Sequence, residues 1–193
     1  MSISSKLTYL SFLKQSGISV FLKNNPTNHY KKLSVKKEIF DIKLSEIESL
    51  EHLKQYIEQS DNCSLKKNAK NTVFSDGNPE SKIMLIGEAP GAEEDKQGKP
   101  FVGLAGKLLD KMLTSINLDR NSVYITNVLP WRPPNNRTPD SEEILECLPF
   151  VQKHIEIIKP KIIVLLGSTA AKAILSSTKG IMKIRGQWFE YNN

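Results

Sequence analysis

Two polar residues sit beside apolar runs, at positions where a side chain can do chemistry. Ile83-Met84-Leu85-Ile86 stops at Gly87, and Glu88 follows at once in the segment Gly87-Glu88-Ala89-Pro90-Gly91-Ala92-Glu93-Glu94-Asp95. A glycine ending a strand permits a sharp turn or a closely approaching ligand. The carboxylate after it then stands at the mouth of a crevice, although the same residues also suit an acidic surface loop. A second run, 123–128 (VYITNV), carries Asn127 near its end. That is an uncommon place for an amide, which can also serve only to cap a turn. The loop beyond it, Pro130-Trp131-Arg132-Pro133-Pro134-Asn135-Asn136-Arg137-Thr138-Pro139, gathers Trp131, Arg132 and Arg137. Those residues can meet a phosphate backbone, or form a rigid proline loop with solvated arginines. Two phosphate motifs are excluded. Gly98-Lys99 is followed by Pro100 rather than Ser or Thr, so there is no Walker loop, and no GxGxxG is present.

The elements that position these groups alternate along the chain. Runs at 83–86, 123–128 and 162–166 are continuously apolar, as strands buried on both faces of a parallel sheet are. Between them lie helical stripes. Leu104, Leu108, Leu109, Met112, Leu113 and Ile116 keep one face apolar. Thr138 and Pro139 predict a helix start, as N-cap and first position. Pro149 predicts a break or kink before Val151, Ile155 and Ile158 resume the stripe. Residues 168–175 predict a further helix, and 44–60 an earlier one. Residues 1–42 read as a peripheral segment, with one short amphipathic helix around Leu7, Leu10, Phe12 and Leu13, ahead of a domain at 43–193. The expected fold is therefore α/β: three layers, α/β/α, around a central, mainly parallel sheet. Its crossovers are right-handed, and its ligand crevice lies at the carboxyl ends of the strands.

The whole chain narrows the choices further. It has 193 residues and a formal net charge of +6, compatible with a polyanionic partner. Two distant cysteines, Cys63 and Cys147, suggest a reducing compartment rather than a disulfide framework. No apolar stretch has the length of a membrane span or a signal-peptide core. A cytoplasmic monomer is expected.

Taken in order, GEAPGAEED, GKPFVG-x-AG-x-LL, YITNVLPWRPPNNRTP and PKIIVLLGSTAAKAIL resemble the family 4 uracil-DNA glycosylases, over about residues 63–191. The resemblance implies monofunctional hydrolysis of the N-glycosidic bond of deoxyuridine in DNA, with the base flipped into a pocket. It implies roles for individual residues. Phe101 stacks on the base. Asn127 reads its edge, accepting from uracil N3–H and donating to O4, an arrangement that cytosine reverses. Glu88 lies near the sugar, orienting water or steadying a cation-like sugar. Glu94 crowds the C5 edge against thymine. Gly87, Ala89 and Gly91 bring backbone amides near the base, and Gly103, Gly106, Arg132 and Arg137 contact DNA.

The resemblance is incomplete. Relatives that carry a [4Fe–4S] cluster hold it with four cysteines. Here the matching positions are Ser60, Cys63, Trp131 and Cys147, so no cluster and no other metal is expected. Leu104 stands where the GxAG motif usually has a basic residue. The given sequence ends at Asn193, with no counterpart of the relatives' HPSYLL-like motif. The expectation is a sheet without its last strand and helix, and excision about a hundredfold slower for want of one donor to uracil O2. Two further readings stay open: a catalytically impaired DNA-binding remnant, and a replication-associated interaction protein docking through its lysine-rich N-terminal region.

Overall fold

The apolar runs become the strands of one sheet. These are β1 (Asp76–Gly77), β2 (Ile83–Gly87), β3 (Tyr124–Asn127) and β4 (Ile162–Leu165), in the order β1-β3-β2-β4. β2 pairs in parallel with β3 and β4, and the short β1 lies antiparallel to β3. The structure, a computed structural model, describes residues 44–61 and 63–191. The expected peripheral segment and its short helix lie outside the described residues.

Six α-helices accompany the strands among the described residues. They are α1 (Leu50–Gln59), α2 (Ala92–Gln97), α3 (Leu104–Ser115), α4 (Ser141–Ile158), α5 (Ser168–Leu175) and α6 (Ile181–Ile184). Strand pleating sends successive side chains to opposite faces. Leu85 and Ile125 pack with Val123 and with Leu109 and Leu113 of α3. Tyr124, one residue along, turns to the other face and shares a 2.8 Å hydrogen bond with His154 of α4. Helices thus cover both faces, as the alternation predicts. None described is long and apolar enough to cross a membrane.

Four local expectations need correction. The run at 162–166 was expected to be buried on both faces. Instead β4 is an edge strand, with Ile162 38% and Val164 39% exposed; an apolar run does not disclose whether its strand has one neighbour or two. α3 does not bury its whole apolar side. Leu109 and Leu113 face the sheet, while Leu104, Leu108, Met112 and Ile116 are exposed. The N-cap of α4 is Asp140, not Thr138. Asp140 Oδ1 accepts from Glu143 N (2.9 Å), and Glu143 Oε2 accepts from Asp140 N (3.0 Å). That reciprocal pair satisfies two otherwise orphaned donors. Finally, α4 runs unbroken through Pro149. The hydrogen bond lost there would have gone to the carbonyl of Leu145, a residue exposed to water that can replace it.

His154 makes stability depend on pH. It is fully enclosed, and burial pushes its imidazole down to about 3. The unfolded chain protonates the same group near its ordinary value of 6.5, so unfolding takes up a proton between those limits. Stability should therefore be fully present above pH 6.5 and fall as pH drops toward 3, by up to ~1.4 kcal/mol per pH unit. The paired change Tyr124→Phe with His154→Leu should flatten the slope of unfolding free energy between pH 6 and 4. An unchanged slope would show that His154 titrates normally.

Candidate active site at the carboxyl edge of the sheet

Parallel pairing sets Gly87, the last residue of β2, beside Asn127, the last of β3. Both are buried, and Asn127 is only 6% exposed. The missing side chain of Gly87 makes room for two others. A Cβ there would lie 2.4 Å from Asn127 Oδ1 and 2.6 Å from Phe101 Cζ. The amide of Asn127 and the ring of Phe101 thus converge over one backbone position. No hydrogen bond engages that amide among the described residues, so its donors and acceptor remain for a ligand.

The ring arrives there by an unusual backbone. Phe101 has φ +55°, a left-handed conformation costing roughly 1–2 kcal/mol for a residue with a side chain. Two features hold it. Gly106, in the first turn of α3, presses its Cα against the Phe101 carbonyl, where a Cβ would lie 1.7 Å from the oxygen. Glu94 accepts from Val102 N (2.9 Å) and Gly103 N (2.8 Å) through Oε1, and from Gly91 N (3.1 Å) through Oε2.

These contacts revise several expected roles. Gly106 is buried behind Phe101 rather than presented to DNA. The amides of Gly91 and Gly103 are directed at Glu94, not at a base or a phosphate. Both oxygens of Glu94 are engaged in tying the 91–103 loop together. Asp95 also turns inward, accepting from Lys70 N (2.8 Å) and Asn71 N (3.2 Å). Of the acidic run, Glu88 stands half-buried just past the carboxyl end of β2, beside the half-buried Ala89.

Glu88 Oε2 accepts a hydrogen bond from the hydroxyl of Thr169, in the first turn of α5. Thr169 escaped the sequence reading, and no spacing rule links it to Glu88, 81 residues away. A carboxylate fixed by one hydroxyl keeps lone pairs free for water or a cation-like centre. Thr169→Val should slow the proposed reaction roughly 10- to 100-fold without unfolding the chain, since a hydrogen bond to a charged group is worth about 1.5–3 kcal/mol. An unchanged single-turnover rate would show that Glu88 needs no such partner.

Arg132 and Arg137 do occupy the loop after β3, but both have partners. Arg132 Nε donates to Asn136 Oδ1 (2.7 Å). Arg137 grips Glu143 at both nitrogens (2.8 and 2.5 Å), and this pairing holds Glu143 below the usual carboxylate range. The Arg137 side chain remains 44% exposed.

Cys63 and Cys147 are both buried. The nearness of the two thiols lowers that of Cys63 and, with burial, raises that of Cys147. Trp131 is buried with them. Its indole N–H donates to Thr72 Oγ1 (3.1 Å), and its ring meets Phe150 edge-on at 6.0 Å. Among the described residues no group of three or more His, Cys, Asp or Glu could hold a metal ion. Two thiols, with Ser60 and Trp131 at the other matching positions, do not supply a four-thiolate cluster.

The carboxyl ends of β2 and β3 in this α/β protein carry an aromatic ring, a buried amide that no described residue bonds and a tethered carboxylate, the place where open parallel sheets form ligand crevices. Residues 74–192 match the Uracil DNA glycosylase superfamily. The Type-4 uracil-DNA glycosylase of Sulfurisphaera tokodaii is 46% identical over 146 residues, covering 73% of this chain and 66% of that protein. That of Saccharolobus solfataricus is 42% identical over 151 residues, covering 76% and 70%. That of Archaeoglobus fulgidus is 44% identical over 148 residues, covering 75% and 74%. The match thus spans about two thirds of the length of the first of these relatives. The chain belongs to the uracil DNA glycosylase superfamily.

Proposed function

We propose that this chain releases uracil from DNA by hydrolysing the N-glycosidic bond, as a first step of base-excision repair. The observation that carries the reading is the Asn127 amide, buried and unbonded among the described residues, converging with the Phe101 ring over Gly87. A flipped uracil would stack on Phe101 and give its edge to Asn127. Cytosine presents the opposite donors and acceptors, so a fixed amide rejects it. Glu88 would steady the sugar as the bond from C1′ to N1 breaks and its electron pair leaves on uracil. Water then adds to C1′ and loses a proton. Exposed Arg137 and half-buried Arg132 would meet phosphates, supported by the net charge of +6.

The test is release of uracil from a single-site oligonucleotide, followed by alkaline cleavage of the abasic strand, with a cytosine-containing strand as control. Intact uracil strands after prolonged single-turnover incubation would sink the proposal.

The same reading includes a site without iron, supported by the residues at the positions that match the relatives' ligands, of which only Cys63 and Cys147 are thiols. The purified protein should be colourless and lack iron. A brown preparation absorbing near ~400 nm, with about four irons per chain, would overturn it.

A further inference from the structure

We propose that Arg120 is a positioning residue that aims the Phe101 ring; the inference rests on the stacking role just given to that ring. Arg120 lies in a single helical turn, Arg120–Ser122, just ahead of β3. Its guanidinium reaches across to the loop that carries Phe101. Nη2 donates to the Phe101 carbonyl, and Nη1 to that of Pro100 (3.3 Å). The other side of the fork is fixed by two carboxylates. Nη1 also donates to Asp76 Oδ2 of β1 (2.6 Å), and Nε to Asp110 Oδ1 of α3 (2.8 Å).

The target of this fork is what makes it more than a surface ion pair. The Phe101 carbonyl is the group pressed against Gly106, and Phe101 holds a left-handed φ that a bulky residue seldom adopts. Relaxing that torsion would swing the ring away from Gly87. Arg120 and Glu94 grip the loop from opposite directions, Arg120 at the carbonyls of residues 100 and 101, Glu94 at the amides of 102 and 103. Between them four backbone groups around the strained residue are committed, two carbonyls and two amides. Lysine has a single point charge and no planar fork, so it cannot serve four acceptors spread over three elements.

Two measurements test this. The first is hydrogen exchange at the Val102 and Gly103 amides, which needs no activity. Arg120→Lys should speed exchange there while leaving the β2 and β3 amides protected. The second is a double-mutant cycle on uracil release. Arg120→Lys alone should slow release by on the order of 10- to 100-fold, the effect of misplacing a reacting or positioning group by about 1 Å. In a Phe101→Ala background the same change should have almost no further effect, since the ring it aims is gone. Unaltered exchange at Val102 and Gly103 overturns the proposal, and so do additive losses in the cycle, which would mean a general structural role. If Arg120→Lys does not fold, both measurements on Asp110→Asn decide instead, because that carboxylate is 47% exposed. A wild-type chain that releases no uracil defeats the reading of the reaction, while the exchange result still decides the role of Arg120.

Discussion

Replacing Asn127 by alanine is expected to slow uracil release by on the order of 10³-fold, the largest loss from any single truncation in this site. The amide stands on a strand end that is fixed by parallel pairing to Gly87 and is only 6% exposed. Its backbone has little freedom left to lose when a base arrives. Without it, the N3–H and O4 of an enclosed uracil would face no partner. Stability should change little, because no described residue hydrogen-bonds the amide. Asn127→Asp should instead relax the choice of base. A protonated carboxyl donates to cytosine N3 while its carbonyl oxygen accepts from the N4 amine. Single-turnover release from uracil and cytosine strands, read beside melting temperatures, separates these effects. Full activity in Asn127→Ala would remove the residue from the site.

Gly106→Ala should damage both folding and the reaction. The added carbon would lie 1.7 Å from the Phe101 carbonyl oxygen and 2.1 Å from its carbon. Both are backbone atoms, and neither gives way as the tip of a flexible side chain does. Overpacking of this kind costs typically 1–3 kcal/mol. Relief requires Phe101 to move, so release should also fall about a hundredfold. Gly180→Ala is the control, since a Cβ there meets nothing within 4 Å. It should melt and react as the parent does. A Gly106→Ala protein with parental melting temperature and rate would mean that the 101–106 contact is looser than described.

How much of this was legible in the sequence depends on the range of the interaction. β2 and β3 were legible because a central strand needs an unbroken apolar run, and both runs end in the polar residues that matter. The cap of α4 was present but misread. Thr138-Pro139 and Asp140-Ser141 both look like starts, yet only Asp140 has a glutamate three residues on to close the box. The outward stripe of α3 was not legible. Its apolar residues fill two adjacent stripes, and sequence periodicity does not say which one faces the sheet. The partners of Glu88 and Phe101 were beyond reach for a different reason. Thr169 and Arg120 meet them only after the chain has crossed the sheet, and nothing local marks Phe101 as left-handed. Glu94 was expected at the C5 edge of the base, whereas its two oxygens accept from three backbone amides.

The proline-rich loop after β3 is fastened at both ends. The Pro130 carbonyl accepts from Val73 N at 2.8 Å, and Arg137 is clamped to the capping glutamate of α4. Between those points Pro133 and Pro134 restrict their own backbone, and Asn136 ties down Arg132. A floppy loop loses motional freedom when it grips a partner, roughly 0.5–1.5 kcal/mol for each long side chain stilled. Here most of that freedom is already gone before any encounter. Recognition by this face should therefore be fast and shape-driven, with less binding energy lost to ordering, rather than slow and adaptive.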